Sequence, residues 1–410
     1  MVTELQGVHS SRSQRSLDTS AHIKQEGLAF LAELGVDLMS TKDLAARAGI
    51  STGPIYARYD TIEDLVLDLW CEVLHPEFLR LLAIIRPAMA GAADERRELA
   101  ELLADPTLKS QAIVEVLSVA RRYPQLSERV GIDLARAFSD HINAQPKTAP
   151  AVAMAQCTTT FGSMFLSPMV PRESIADWEG MINLVGRASH DPTALAEPHR
   201  EVEPTIIELP KMATGDVVVD EFVVAAMTVI ARVGFEQATS TRIARVAGRG
   251  FSTIYNHYSS KEELMVATVE SMIQQNIEIS FRGFAGLDRE TYIQASVANA
   301  YGLVSDINRE NRQLRIEVLM SARHHKEIAA FAEQGYGEMF SALREAVTQM
   351  VGPERAVEIL PRTTPLWLTL RSNNIGMALL ANISPIMRDV DWTPASAALY
   401  GLIGHIMNPS

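Results

Sequence analysis

Two short stretches of this 410-residue chain concentrate side chains able to grip a polyanion. The first is Ser51, Thr52, Gly53, Pro54, Ile55, Tyr56, Ala57 and Arg58, and the second is Phe251, Ser252, Thr253, Ile254, Tyr255, Asn256 and His257. Hydroxyls donate to phosphate oxygens, and Arg and Asn can hydrogen-bond base edges in a major groove. Nothing beside them suits bond breaking. The chain has no phosphate loop, no Cys-x-x-Cys and no His-Glu-x-x-His. His324-His325 is expected to face solvent rather than hold a metal. Glu63-Asp64 and Glu262-Glu263 are expected at helix N-termini, where carboxylates favour the helix dipole. No enzyme activity, cofactor or metal is therefore expected.

Each stretch follows an Ala-Gly step, Ala48-Gly49 or Ala247-Gly248. Gly supplies the positive φ that a tight turn between two helices needs. Before the turn, Ser40 or Thr41 can N-cap one helix, and Thr239 or Ser240 can do so in the second copy. Leu44, Ala45 and Ala48, and likewise Ile243, Ala244 and Ala247, give that helix a small apolar face. Ser51 is expected to cap the helix after the turn, with Pro54 in its first turn, where a missing N–H does no harm. Ile55 and Tyr59 should face inward, leaving Tyr56 and Arg58 outward. This is the order of a helix-turn-helix, whose second helix enters the major groove.

The two segments are copies. Residues 35–65 and 234–264 are identical at 9 of 31 positions without a gap, at an offset of 199. Further on, residues 115–121 are echoed by 317–323, at an offset of 202. The spacing from Gly162 to Trp178 reappears between Gly376 and Trp392, at an offset of 214. The apolar period is helical throughout, as at Ile23, Gly27, Phe30, Leu31 and Leu34, and no alternating strand pattern is found. The expected fold is all-α: two head-plus-body units in tandem, packed as an intramolecular pseudo-dimer. The heads span 17–66 and 216–265, and the bodies 67–185 and 266–410. Between them, 186–215 holds Pro192, Pro198, Pro204 and Pro210 among acidic residues, and reads as an extended, solvated linker with a reach of roughly 30 Å. Residues 1–20 read as a frayed tail or a minor-groove arm, and not as a signal peptide.

The net charge of −13 argues against a protein that coats nucleic acid, although it leaves room for a small basic footprint. Residues 36–65 carry three Lys/Arg against five Asp/Glu, a balance of −2; residues 235–264 carry four against three, +1. Two cysteines form no disulfide framework, and no apolar run reaches the length of a membrane span.

In these residues both heads resemble the TetR/AcrR family of bacterial transcriptional regulators. The resemblance covers about 50 residues in each copy and implies a three-helix DNA-binding head on a helical body with a small-molecule pocket and a dimer face. It places phosphate contacts and caps at Ser40, Thr41, Thr239 and Ser240. Groove-facing positions fall on Ser51, Thr52, Gly53, Pro54, Tyr56 and Arg58, then on Arg249, Phe251, Ser252, Thr253, Tyr255, Asn256 and His257. Lys261 takes the place of a phosphate-binding lysine. The copies depart from the family pattern at Arg58 and Ile62 in the first head and at Gly250 and Phe251 in the second.

The resemblance implies a cytoplasmic, nucleoid-associated bacterial repressor on double-stranded DNA, with an operator made asymmetric by the unlike heads. It also implies release by a small apolar or amphipathic effector. Candidate ligand residues are Glu115, Phe161, Met164 and Phe165 in the first body, and Glu317, Tyr336, Trp367 and Met377 in the second. Packed core is the competing reading for these apolar side chains, and ion pairs with Arg121 and Arg323 for the two glutamates. A homodimer of chains stands beside the pseudo-dimer. A ligand-binding or interaction protein with impaired heads stands beside the repressor.

Overall fold

A computed structural model describes residues 2–167, 174–209, 215–277 and 287–407, and the backbone there is helical, with no strand among the described residues. The chain divides into two compact units that do not follow the repeat boundary expected from the sequence. One comprises Met1–Leu79 and Thr107–Val130, the other Arg80–Pro106 and Gly131–Ser410. The descriptions below treat each unit by itself. No described helix is long and apolar enough to cross a membrane.

The smaller unit begins with α1 (Val2–Leu34), followed by α2 (Thr41–Arg47), α3 (Gly53–Tyr56) and α4 (Ile62–Leu69). The helix extends through the segment expected to fray. No proline interrupts residues 2–34, and adding residues to an existing helix is far cheaper than nucleating one. Ile23, Phe30 and Leu31 of α1 are buried, and α1 packs on α2, on α4 and on α7 (Leu108–Val119). Thr61 and Asp64 form a capping box at the start of α4. A π turn (Trp70–Leu74) leads from α4 into α5 (His75–Met89), with Trp70 fully buried and stacked on His75 at 5.9 Å.

In the larger unit, α6 (Ala93–Ala104), α8 (Pro124–Asn143, shared between the units), α9 (Pro150–Leu166), α10 (Ile175–Ser189) and α11 (Pro192–Leu195) precede a second three-helix head. That head consists of α12 (Val217–Val233), α13 (Ser240–Val246) and α14 (Phe251–Ile254), followed by α15 (Lys261–Ile277). The remaining helices are α16 (Arg289–Val304), α17 (Arg309–His324), α18 (Lys326–Val351), α19 (Pro353–Ile359), α20 (Thr363–Ala381), α21 (Ile386–Asp389) and α22 (Thr393–Met407). Here α12 packs on α13, α15 and α17, the same order in which α1 packs on α2, α4 and α7.

The dominant packing joins α9 to α20, with α10 and α22 alongside. At the crossing a Cβ on Gly162 would lie 1.9 Å from the Ser372 carbonyl oxygen, and one on Gly376 would lie 1.8 Å from that of Thr158. The contact is reciprocal, because 158 and 372 share the offset of 162 and 376, which is 214. Trp178 and Trp392, each 16 residues beyond its glycine, are both fully buried.

The proline-rich connection is pinned by hydrogen bonds at several points and its first part is helical in α10 and α11, which corrects the extended flexible linker. The Thr205 amide donates to the Ala298 carbonyl at 2.9 Å, and the Ile207 amide to Asn308 Oδ1 at 2.7 Å. Asn308 Nδ2 donates to the Thr205 carbonyl at 2.6 Å, and Arg200 pairs with Glu197 and Glu290. Proline does keep residues 197–209 out of helix, but their exposed backbone groups find partners on α16 and the turn after it. Pro210 and residues 211–214 lie outside the described residues.

The crossing predicts opposite outcomes for two Gly→Ala changes. Gly376→Ala forces backbone apart and should cost about 3 kcal/mol by chemical denaturation. Gly337→Ala, in a helix with nothing within 4 Å of the added methyl, should stabilise by about 0.5–1 kcal/mol.

Candidate nucleic-acid interface

In the first head Ser40 is the N-cap of α2, its Oγ accepting the Asp43 amide at 3.1 Å, and Thr41 opens the helix. Gly49 has φ +64°, the positive value the turn was expected to need. Ser51 does not cap the next helix, contrary to expectation. Thr52 is the N-cap of α3, and no side chain supplies the capping bond. The reason is geometric: Thr52 already has helical φ and ψ, so no side chain turns back over the first amides. Pro54 does fall within the first turn.

Burial sorts this helix into two faces. Ile55 and Tyr59 are buried, while Tyr56 is 59% exposed. Tyr59 donates to Asp68 at 2.6 Å, and Lys24 pairs with Asp68 at 3.0 Å. Burial, and then the bond to Asp68, push the Tyr59 phenol above its ordinary range, so it stays a neutral anchor. Ser51 and Gly53 are exposed, and Arg58 Nη1 donates to the Pro54 carbonyl at 2.8 Å, folding back along α3.

The second head repeats the layout with different chemistry. Thr239 is the N-cap of α13 and accepts the Arg242 amide, and Ser240 accepts from the Tyr255 hydroxyl at 3.3 Å. Gly248 has φ +66°, and Gly250 stands at the N-cap of α14 without a side-chain bond. Ile254 and Tyr258 are buried, while Ser252, Asn256 and His257 are exposed and Thr253 half-buried. Phe251 and Tyr255, each 50% exposed, stack edge to face at 5.3 Å.

Much of the basic charge in this head is held internally. Arg249 pairs with Glu221 at 2.6 Å, and His257 Nδ1 lies 3.6 Å from Asp216. Lys261 opens α15, as expected, but its ammonium donates to the Phe235 carbonyl at 3.0 Å and sits 4.1 Å over the Phe235 ring. Arg245 is exposed on α13.

Contacts absent from the sequence expectations tie each head to the helices behind it. Asp37, just after α1, pairs with Arg122 at 2.7 Å and accepts from the Tyr123 hydroxyl at 3.0 Å. Glu236, just after α12, pairs with His325 Nε2 at 2.6 Å, and the His325 ring meets Phe235 edge-on. His325 therefore does not point freely to solvent, a correction of the expectation for His324-His325. The repeat offsets held the clue, since 37 and 236 differ by 199 and 123 and 325 by 202.

The candidate ligand residues are placed differently from one another. Phe161, Met164, Phe165, Trp367 and Met377 are buried on α9 and α20, the helices of the Gly162–Gly376 crossing. Glu115 is buried and accepts the Val36 amide at 3.1 Å, so it holds the loop after α1. Glu317 is buried on α17. Tyr336 lies under the Arg371 guanidinium, 5.5 Å from its ring centroid. Among the described residues no group of three or more His, Cys, Asp or Glu is arranged to hold a metal ion.

Residues 222–268 match the family model for bacterial regulatory proteins of the tetR family. The match runs from within α12 into α15 and so covers the second head. No curated protein matches the chain.

The Asp37 tie is nearly enclosed, with side-chain exposures of 9% for Arg122 and 13% for Asp37. Arg122→Ala leaves a carboxylate shielded and unpaired, and should cost about 3 kcal/mol in a urea titration. Tyr123→Phe removes one hydrogen bond and should cost about 1 kcal/mol.

Proposed function

We propose that this chain is a sequence-specific DNA-binding transcriptional regulator with two non-identical reading heads on one polypeptide. One observation carries the reading. In the segment that matches a regulator family, a short helix after a positive-φ glycine presents Ser252, Tyr255 and Asn256 outward while Ile254 and Tyr258 anchor it. The first head has the same arrangement at Gly49, Tyr56, Ile55 and Tyr59.

The reciprocal contact of Gly162 and Gly376 supports an intramolecular pseudo-dimer. In a two-fold interface, residue i meets j wherever j meets i, and residues 158, 162, 372 and 376 obey that rule across copies. One chain would then supply the pair of heads for two half-sites about one helical turn apart. The unlike residues Arg58 and His257, and Pro54 and Thr253, would make those half-sites differ. Binding of a small effector in a body would shift the balance between head arrangements and release the operator, which makes the chain a repressor.

A second reading is favoured by Phe251 and Lys261. An apolar Phe251–Tyr255 face and a lysine turned onto Phe235 suit a head that docks on protein instead of phosphate. In that reading the chain pairs with another regulator.

Fluorescence anisotropy on the DNA upstream of the chain's own gene separates the two. Tyr56→Ala and Tyr255→Ala should each weaken binding by about tenfold to a hundredfold, and affinity should fall steeply with salt. Loss in one variant alone leaves a single reader, and no binding by the parent chain supports the interaction protein. Light scattering should find a stable monomer, whereas an obligate dimer of chains would defeat the pseudo-dimer.

A further inference from the structure

An open cleft of about 260 Å³ lies in the larger unit where the end of α5, the turn between α8 and α9 and the end of α10 meet. Three cationic or protonatable side chains, Arg86, Lys147 and His190, line it, and no lining residue is acidic. In a chain of net charge −13 this is a local reversal. Arg86 and Lys147 are exposed and have no carboxylate partner among the described residues. Like charges gathered at one mouth repel one another, and an anion seated between them offsets that repulsion.

The floor is built and ordered. Gln156, 1% exposed, donates to Gln145 Oε1 at 3.0 Å and to Ser189 Oγ at 2.9 Å, and Gln145 donates back to Gln156 Oε1 at 3.1 Å. His141 is buried beneath, 3.1 Å from Gln156 Oε1. Burial pulls its imidazole pKa down, and the positive charge of Arg86 adds to the effect. His190 Nδ1 donates to the Gly186 carbonyl at 2.8 Å, so Nε2 can donate to an anion only in the imidazolium form. Met89, Ala90 and Pro146 give the lining an apolar part, and Thr148 adds one hydroxyl. The volume is just below the roughly 300–1,000 Å³ of drug-sized sites, so the occupant is small.

We propose that this cleft binds a small organic anion, with one carboxylate or phosphate monoester held by Arg86 and Lys147 beside His190, and a compact apolar body against Met89 and Pro146. The site stands whether or not the heads bind DNA, because its test reads binding to the cleft directly.

Isothermal titration calorimetry on the full chain with benzoate, phenyl phosphate and benzyl alcohol provides that test. At least one of the two anions should bind with one-to-one stoichiometry, the preferred one identifying the oxyanion, while benzyl alcohol gives no saturable heat. The double variant Arg86→Ala/Lys147→Ala should weaken the anion by about tenfold or more, the loss of one charged hydrogen bond or more. Arg86→Lys/Lys147→Arg should retain binding within about threefold, since it keeps both charges. Failure of both anions to bind, equal binding of benzyl alcohol, or equal affinity in the alanine double variant would overturn the proposal.

Discussion

Backbone meets backbone where α9 crosses α20, and the larger unit is arranged around that approach. With Gly162 against the Ser372 carbonyl and Gly376 against that of Thr158, neither position has room for a methyl group. Such proximity places polar helix backbone in a dry interior and leaves room beside it only for small side chains. Thr160 and Ser163 are of that kind, and donate to carbonyls one turn back in their own helix, at 2.9 and 2.8 Å. The bulky residues then fill the space on either side: Phe161 and Phe165 from α9, and Met377 and Leu380 from α20. The same crowding explains why the Met and aromatic stripe is packed core in these two helices.

The heads are joined to their supporting helices through chemically different ties. Asp37 faces a guanidinium, which stays charged at any physiological pH, and a half-buried phenol. Glu236 faces an imidazole, which carries charge only when protonated, with Phe235 shared between His325 and Lys261. The short helices α3 and α14 diverge in the same way. In the first, Tyr56 stands alone and outward above the Ile55 and Tyr59 anchors. In the second, Tyr255 is stacked on Phe251 and hydrogen-bonded to Ser240, so its outer face is more apolar and more constrained.

What the sequence by itself determined is whatever depends on neighbours within a turn or two. The helical period, the positive φ at Gly49 and Gly248, Pro54 in a first turn, a cap at Ser40 or Thr41 and at Thr239 or Ser240, and the burial of Ile55 and Tyr59 all follow from local sterics and i, i+4 spacing. Ser51 missed its cap because helix onset was decided by one residue's φ and ψ, which capping preference alone does not set.

Everything that required distant segments to meet was decided by the tertiary structure. The proline-rich connection looked solvated until α16 and Asn308 supplied partners for its amides. His325 found Glu236 89 positions away, and Arg86, Lys147 and His190 gathered at one mouth from two helix ends and the turn between α8 and α9. Glycines 214 positions apart came to face each other across one crossing. Spacing along a chain encodes which face of a helix a residue occupies. Which faces finally touch is settled by backbone approach and by the need to pair every buried polar group.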